Sequence, residues 1–152
     1  GTAETVHVGA RGENITIIFV NNAIYGMTGG QMAPTTLLGQ VTTTSPYGRI
    51  REIQGNPIRV CEMVSTLDGV AYAERVSVDC VKNVVNAKKA IKKGFMMQQE
   101  KKGLSIIEVL STCPTNWGLS PEKAIDWLRE NMIEHYPLGV YKDITATEEA
   151  AK

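Results

Sequence analysis

The hydrophobic and polar positions alternate between two periods along this chain. Ile15 to Val20 is an unbroken apolar run, the pattern of a buried strand in a parallel sheet. Val70 to Val78 predicts a second strand, with Val70, Tyr72, Val76 and Val78 apolar and Glu74 interrupting one end. Leu104 to Leu110 predicts a third, apolar enough to be central. Between them the period lengthens to that of helices. Residues 3 to 10 predict a helix with Val6 and Ala10 on one face, closed by Arg11-Gly12. Asn56-Pro57 reads as an N-cap and first helical position, followed by Val60, Met63, Val64 and Leu67 at helical spacing and closed by Gly69. Val81 to Lys102 predicts a long helix that turns Val84, Ala87, Ile91 and Phe95 to the core, with Gly103 as its stop. Ser120-Pro121-Glu122 opens a last helix with Ile125, Leu128 and Met132 as its inner stripe, ended by Pro137-Leu138-Gly139.

Strands alternating with helices imply an α/β fold, a three-layer, mostly parallel sheet with helices on both faces. Residues 1–142 read as part of one α/β domain, and Asp143 to Lys152 as a flexible tail. Opening on a helix rather than a strand suggests an incomplete layer. No period holds from Gly26 to about Asn56, where Gly, Thr, Pro and Ser dominate. A loop of that length inside a domain is usually functional or disordered.

Composition narrows the function. The chain has 152 residues, 43% hydrophobic and 21% charged, with 16 Lys plus Arg against 16 Asp plus Glu. A net charge of zero gives no pull towards nucleic acid or an anionic membrane. No apolar run reaches membrane-spanning length, and the first residues lack the pattern of a signal peptide, so a cytoplasmic location is expected. Cys61, Cys80 and Cys113 form no C-x-x-C pair, so neither a zinc site nor an iron–sulfur ligand set can be built from this chain alone. His7 and His135 read as a helix-surface residue and a helix C-terminal cation. Lys88, Lys89, Lys92, Lys93, Lys101 and Lys102 read as a solvated basic face, with docking of an acidic electron carrier as the competing reading.

The junction after the first strand carries the candidate chemistry. Asn21-Asn22-Ala23-Ile24-Tyr25-Gly26-Met27-Thr28-Gly29-Gly30-Gln31 sets two amides and three glycines where open α/β sheets bind ligands. An Asn oxygen and a backbone carbonyl two residues on can fill neighbouring positions around Mg²⁺, which takes its other ligands from phosphate and water. No G-x-G-x-x-G follows a strand, which argues against a dinucleotide site.

Asn22-x-Ile24, followed by the string from Tyr25 to Gln31, resembles the second half of the thiamine-diphosphate signature. With Pro34-Thr35-Thr36, the string Thr42 to Arg49, and Glu108 to Trp117, the chain is similar to the β subunit of 2-oxoacid:ferredoxin oxidoreductases. Within that family it looks most like the 2-ketoisovalerate (branched-chain) and 2-oxoglutarate enzymes. The resemblance implies Mg²⁺ ligation by the Asn22 side-chain oxygen and the Ile24 main-chain carbonyl, with Tyr25, Gly26, Met27 and Thr28 along the diphosphate. It implies oxidative decarboxylation of a 2-oxoacid to an acyl-coenzyme A with reduction of ferredoxin. The implied partners are an α subunit with a pyrimidine domain, a ferredoxin-like subunit, ferredoxin and coenzyme A. The family's Gly-Asp-Gly and its cluster-ligand cysteines are expected upstream of Gly1, with the iron–sulfur cluster elsewhere in the complete enzyme. No catalytic residue is expected in this chain, which is expected to be inactive alone. A non-catalytic assembly domain that keeps the fold without cofactor is the alternative.

Overall fold

A computed structural model describes residues 1–146. The chain forms two compact units. The first comprises Gly1–Phe19, Val60–Val109 and the chain from Leu138; the second comprises Val20–Arg59 and Leu110–Pro137. The chain passes between them four times, after Phe19, Arg59, Val109 and Pro137.

The first unit carries a four-stranded sheet in the order β1-β3-β2-β4, formed by β1 (Thr16–Asn21), β2 (Val70–Ser77), β3 (Leu104–Leu110) and β4 (Gly139–Asp143). The Ser105 and Ser111 amides donate to the carbonyls of Ile15 and Asn21, a constant offset that marks β1 and β3 as parallel. β4 runs antiparallel to β2, with Tyr72 opposite Asp143 and a bulge between Ala73 and Glu74. The sheet is mixed and mostly parallel, as the alternating pattern implies.

Helices cover both faces. On one lies α4 (Val81–Gln99), whose Ala87, Ala90 and Met97 pack with Tyr72, Val76, Ile107 and Val109. On the other lie α1 (Thr2–Arg11) and α3 (Val60–Ser65), which bring Val8, Val60, Met63 and Val64 against Val70, Ala73, Leu104 and Ile106. Tyr72 and Val76 of β2 and Ile107 and Val109 of β3 face α4, while Ala73 of β2 and Leu104 and Ile106 of β3 face the other way, the two-residue period of a strand. Two helix faces differ from the expected ones. The inner residue of α1 is Gly9, not Ala10, which is exposed. The inner face of α4 is Ala87, Ala90, Gly94 and Met97, so Phe95 is turned out and 48% exposed. Small residues decide this register. A Cβ on Gly94 would stand 2.6 Å from the Ile107 Cδ1 and 3.2 Å from the Thr16 Cγ2, so any larger residue would have to push these side chains aside for the helix to lie this close to β3.

Three further expectations are corrected. β1 is not a buried strand: it lies at the sheet edge with Ile18 43% and Val20 58% exposed. β2 is buried along nearly all its length, including Arg75, because a salt bridge and not solvent accommodates its charge. The segment read as a tail begins inside β4, whose last residue is Asp143; residues 147–152 lie outside the described residues.

Arg75 sits at the middle of the α1/α3 face with its side chain fully buried. Its Nε donates to Glu108 Oε2 at 2.9 Å, and its Nη1 and Nη2 donate to the two Glu62 oxygens at 3.1 and 2.5 Å. Nη1 also donates to the Tyr141 hydroxyl at 2.6 Å. Burial opposes the Arg75 charge, but Glu62 and Glu108 outweigh it and hold its pKa above the ordinary arginine value. Beside the cluster, burial and then the Glu108 carboxylate push the Cys61 thiol well up, so Cys61 is an inert core residue.

Lys93 is not a member of a free basic face, since it pairs with Asp143 and ties α4 to β4. Burial raises the pKa of Asp143, yet hydrogen bonds from Lys93 and Thr145 outweigh it and leave the carboxyl below its usual range. A depressed folded-state pKa contributes stability above the unfolded value that is lost as pH falls through the folded one. Lys93 is 38% exposed, so the contribution is at most about 1 kcal/mol. An NMR titration is expected to show Asp143 protonating below the value for an unfolded aspartate of about 3.9. Lys93→Met is expected to move that titration upward; an unmoved curve would assign the depression to Thr145 alone.

Candidate functional site

The site is built within the second unit, from the turn that follows β1 and the turn that follows β3. Apolar β1 ends in Asn21, which is buried and folds its Oδ1 back to accept from the Ala23 amide at 3.0 Å. Asn22 does the same one residue later, accepting from the Ile24 amide at 3.3 Å. These are successive Asx turns, the geometry that short amide side chains favour in place of continued strand. They leave Ala23 buried with a positive φ of 56°. Asn22 is half-buried, Ile24 is buried, and Tyr25 and Met27 turn their side chains to solvent.

From Tyr25 the chain closes a tight hairpin. The Tyr25 amide donates to the Gln31 carbonyl and the Gly30 amide to the Tyr25 carbonyl, each at 2.9 Å. Across it Thr28 Oγ1 donates to Gln31 Oε1 and Gln31 Nε2 donates to the Thr28 carbonyl. The second turn supplies Cys113 and the short helix α5 (Pro114–Trp117), where the sequence pattern predicts only a polar loop. Asn116 Nδ2 donates to the Gly26 carbonyl at 3.0 Å and to Cys113 Sγ at 3.2 Å. A Cβ at Gly26 would lie 3.0 Å from Cys113 Sγ, and one at Gly30, where φ is 82°, would lie 2.9 Å from Asn116 Oδ1. The glycines are therefore needed for the approach of the two turns.

The long loop between Gly26 and Asn56 has little regular structure, yet it is firmly held. Arg49, buried in its middle, makes six hydrogen bonds to main-chain carbonyls. Nη1 donates to Ala33, Pro34 and Thr36, Nη2 to Gln54 and Asn56, and Nε to Gly55. Burial lowers the pKa of Arg49 from the ordinary arginine value. The same contacts explain why Asn56 does not cap a helix. Its carbonyl is taken by Arg49, the Ile58 amide donates to Pro34, and the chain stays extended until α3 begins at Val60. A short helix, α2 (Arg51–Gln54), precedes that segment.

The last helix begins as its sequence predicts, with Ser120 accepting from the Lys123 amide at the start of α6 (Pro121–Trp127). It continues through a π-helical turn, Leu128–Met132, into α7 (Ile133–His135). The buried Tyr136 at its end donates to the Thr35 carbonyl at 2.7 Å and so anchors the long loop.

Of the residues singled out from sequence, Asn22, Gly26 and Cys113 come together, while His7 is exposed on α1 and His135 stacks edge-on with Tyr136. Asn116, Thr36 and Arg49 lie in strings that carried the family resemblance but had no role assigned. An arginine inside a Gly/Thr/Pro loop was the available signal. Among the described residues no group of three or more His, Cys, Asp or Glu could hold a metal ion. Any metal here would have to draw on oxygens such as those of the Asn22 turn. Among the same residues no helix is long and apolar enough to cross a membrane.

Residues 2–109 match the family model of the thiamine pyrophosphate enzyme, C-terminal TPP binding domain. The chain is 43% identical over 149 residues to the ketoisovalerate oxidoreductase subunit VorA of Methanothermobacter thermautotrophicus, covering 98% of this chain and 31% of that protein. It is 37% identical over 148 residues to the 2-oxoglutarate synthase subunit KorB of Methanocaldococcus jannaschii, covering 94% of this chain and 49% of that protein. The chain thus spans a third to a half of these relatives. In fold it is similar to a solved 2-oxoglutarate:ferredoxin oxidoreductase from Magnetococcus marinus, with a TM-score of 0.68 at 20% identity over 94% of this chain and 52% of that one.

Proposed function

Since the chain belongs to the thiamine pyrophosphate enzyme family through its C-terminal TPP-binding domain, we propose that it is the cofactor-anchoring part of a 2-oxoacid:ferredoxin oxidoreductase β subunit. The observation that carries the reading is the double Asx turn at the end of β1, closed by glycines that admit the second turn. Thiamine diphosphate, when bound, supplies the carbon nucleophile that adds to the keto carbon of a 2-oxoacid. This chain's part is to bind and orient. The Asn22 side-chain oxygen and the Ile24 carbonyl are the Mg²⁺ ligands it offers. Two neutral oxygens leave about four of six positions to phosphate, water and groups outside this chain. Tyr25 to Thr28 would hold the diphosphate, with the Gly26 backbone fixed by Asn116.

A 2-ketoisovalerate substrate is favoured by the 43% identity to a ketoisovalerate oxidoreductase subunit. The 37% identity to a 2-oxoglutarate synthase subunit makes 2-oxoglutarate the second reading. The remaining subunits, an iron–sulfur cluster, coenzyme A, ferredoxin and a cytoplasmic setting belong to the same proposal. The test is calorimetric titration of the assembled oxidoreductase with Mg²⁺ and thiamine diphosphate, with 2-ketoisovalerate and 2-oxoglutarate then compared as substrates. Asn22→Ala is expected to weaken Mg²⁺-dependent cofactor binding at least about tenfold. Equal binding by wild type and Asn22→Ala would remove the site from this turn.

A further inference from the structure

The geometry points to Thr36 as a positioning residue for the metal-binding turn, acting through the peptide between Ala23 and Ile24. This inference rests on the function proposed above. Thr36 is fully buried, and its Oγ1 donates to the Ala23 carbonyl at 2.7 Å while accepting from the Ala33 amide at 2.8 Å. Both functions of the hydroxyl are therefore used. Its own backbone is fixed in turn, because Arg49 Nη1 donates to the Thr36 carbonyl at 2.7 Å.

The peptide that Thr36 holds is the one that matters for the ligands. Its carbonyl oxygen, on Ala23, receives the Thr36 hydroxyl; its amide hydrogen, on Ile24, is donated to Asn22 Oδ1. One peptide plane thus links the Thr36 hydroxyl to the side-chain oxygen offered to the metal. A hydrogen bond at the carbonyl end of a peptide also strengthens donation at its N–H end. On the other side the Asn21 side chain holds the Ala23 amide. Ala23 keeps φ at 56°, a conformation that disfavours any residue with a Cβ, because both of its neighbouring peptides are tethered. Without the Thr36 hydroxyl, Ala23 is free to relax towards negative φ. That rotation carries the Asn22 oxygen and the Ile24 carbonyl out of register with each other.

Outer-shell hydrogen bonds of this kind are worth about 10- to 100-fold in metal affinity. In the assembled oxidoreductase, calorimetry with Mg²⁺ in the presence of thiamine diphosphate is expected to show Thr36→Val binding the metal about tenfold or more weakly than wild type. Thr36→Ser, which keeps the hydroxyl, is expected to stay within about threefold of wild type. Thr36→Ala gives the same test without the valine's shape. It and Thr36→Ser both lose the methyl group and only alanine loses the hydroxyl, so alanine is expected to follow valine. A purely structural role would weaken serine and alanine alike, and that result overturns the proposal. So does metal affinity unchanged in both Thr36→Val and Thr36→Ala. Failure of the wild-type protein to take up Mg²⁺ with thiamine diphosphate is a different result: it overturns the function on which the inference rests, and the inference with it.

Discussion

Arg75→Met is expected to destabilise the protein by about 3–5 kcal/mol, the cost of removing one partner from a buried ion pair. The reason is Glu108. Its side chain is fully buried in β3, whereas that of Glu62 on α3 is 30% exposed and can turn to water. Without Arg75, the Glu108 carboxylate loses the guanidinium that compensates its burial, and the Tyr141 hydroxyl loses a donor. Chemical denaturation of the wild type, Arg75→Met, Glu108→Gln and the double variant measures the coupling. The double variant is expected to recover much of the loss, because removing both charges leaves no uncompensated ion. If the two single losses simply add, the ion pair is not what organises this face.

Arg49→Lys is expected to give the second large effect and to show it in the candidate site. A lysine keeps the charge but has three donors on one nitrogen, and cannot span the carbonyls that ring the edge of the planar guanidinium. Arg49 makes six such bonds, joining 33–36 to 54–56. Hydrogen bonds to a charged donor are worth about 1.5–3 kcal/mol each, and they do not add, so a loss of about 3 kcal/mol is expected. Limited proteolysis should then cut between residues 33 and 56 before the sheet unfolds. Cofactor binding should weaken as well, since Arg49 holds the Thr36 carbonyl and Thr36 holds Ala23. A lysine variant as protease-resistant as the wild type would show that the loop is held by other contacts, such as the Tyr136 anchor.

Much of the first unit was legible from periodicity. Leu104–Leu110 is the expected central strand and α1 ends at Gly12 as its sequence implies. These elements have one dominant local signal each. Where the signals were mixed, tertiary contacts decided. Phe95 is the larger apolar residue, but Gly94 is what fits against Ile107, so α4 is rotated from its expected face. β4 is short and half-exposed, with no run of apolar residues to announce it, and exists because it pairs with β2. Asn56-Pro57 has the residues of a helix start, yet its carbonyl and the Ile58 amide were claimed from 7 and 24 residues away, as the numbering of Arg49 and Pro34 shows.

For the candidate site the division is similar. Two amides and three glycines after an apolar strand point by themselves to the Asn22 turn, because short amide side chains favour Asx turns and glycines admit close approach. They do not reveal what holds the turn. Asn116 meets Gly26 across 90 positions, Thr36 meets Ala23 across 13, and Arg49 gathers carbonyls from two separate segments. Local propensity determines where the chain can turn, and it is encoded within a few residues. Which distant donors then satisfy the carbonyls of that turn is decided only when the loops are folded together, because a carbonyl carries no side-chain label of its partner.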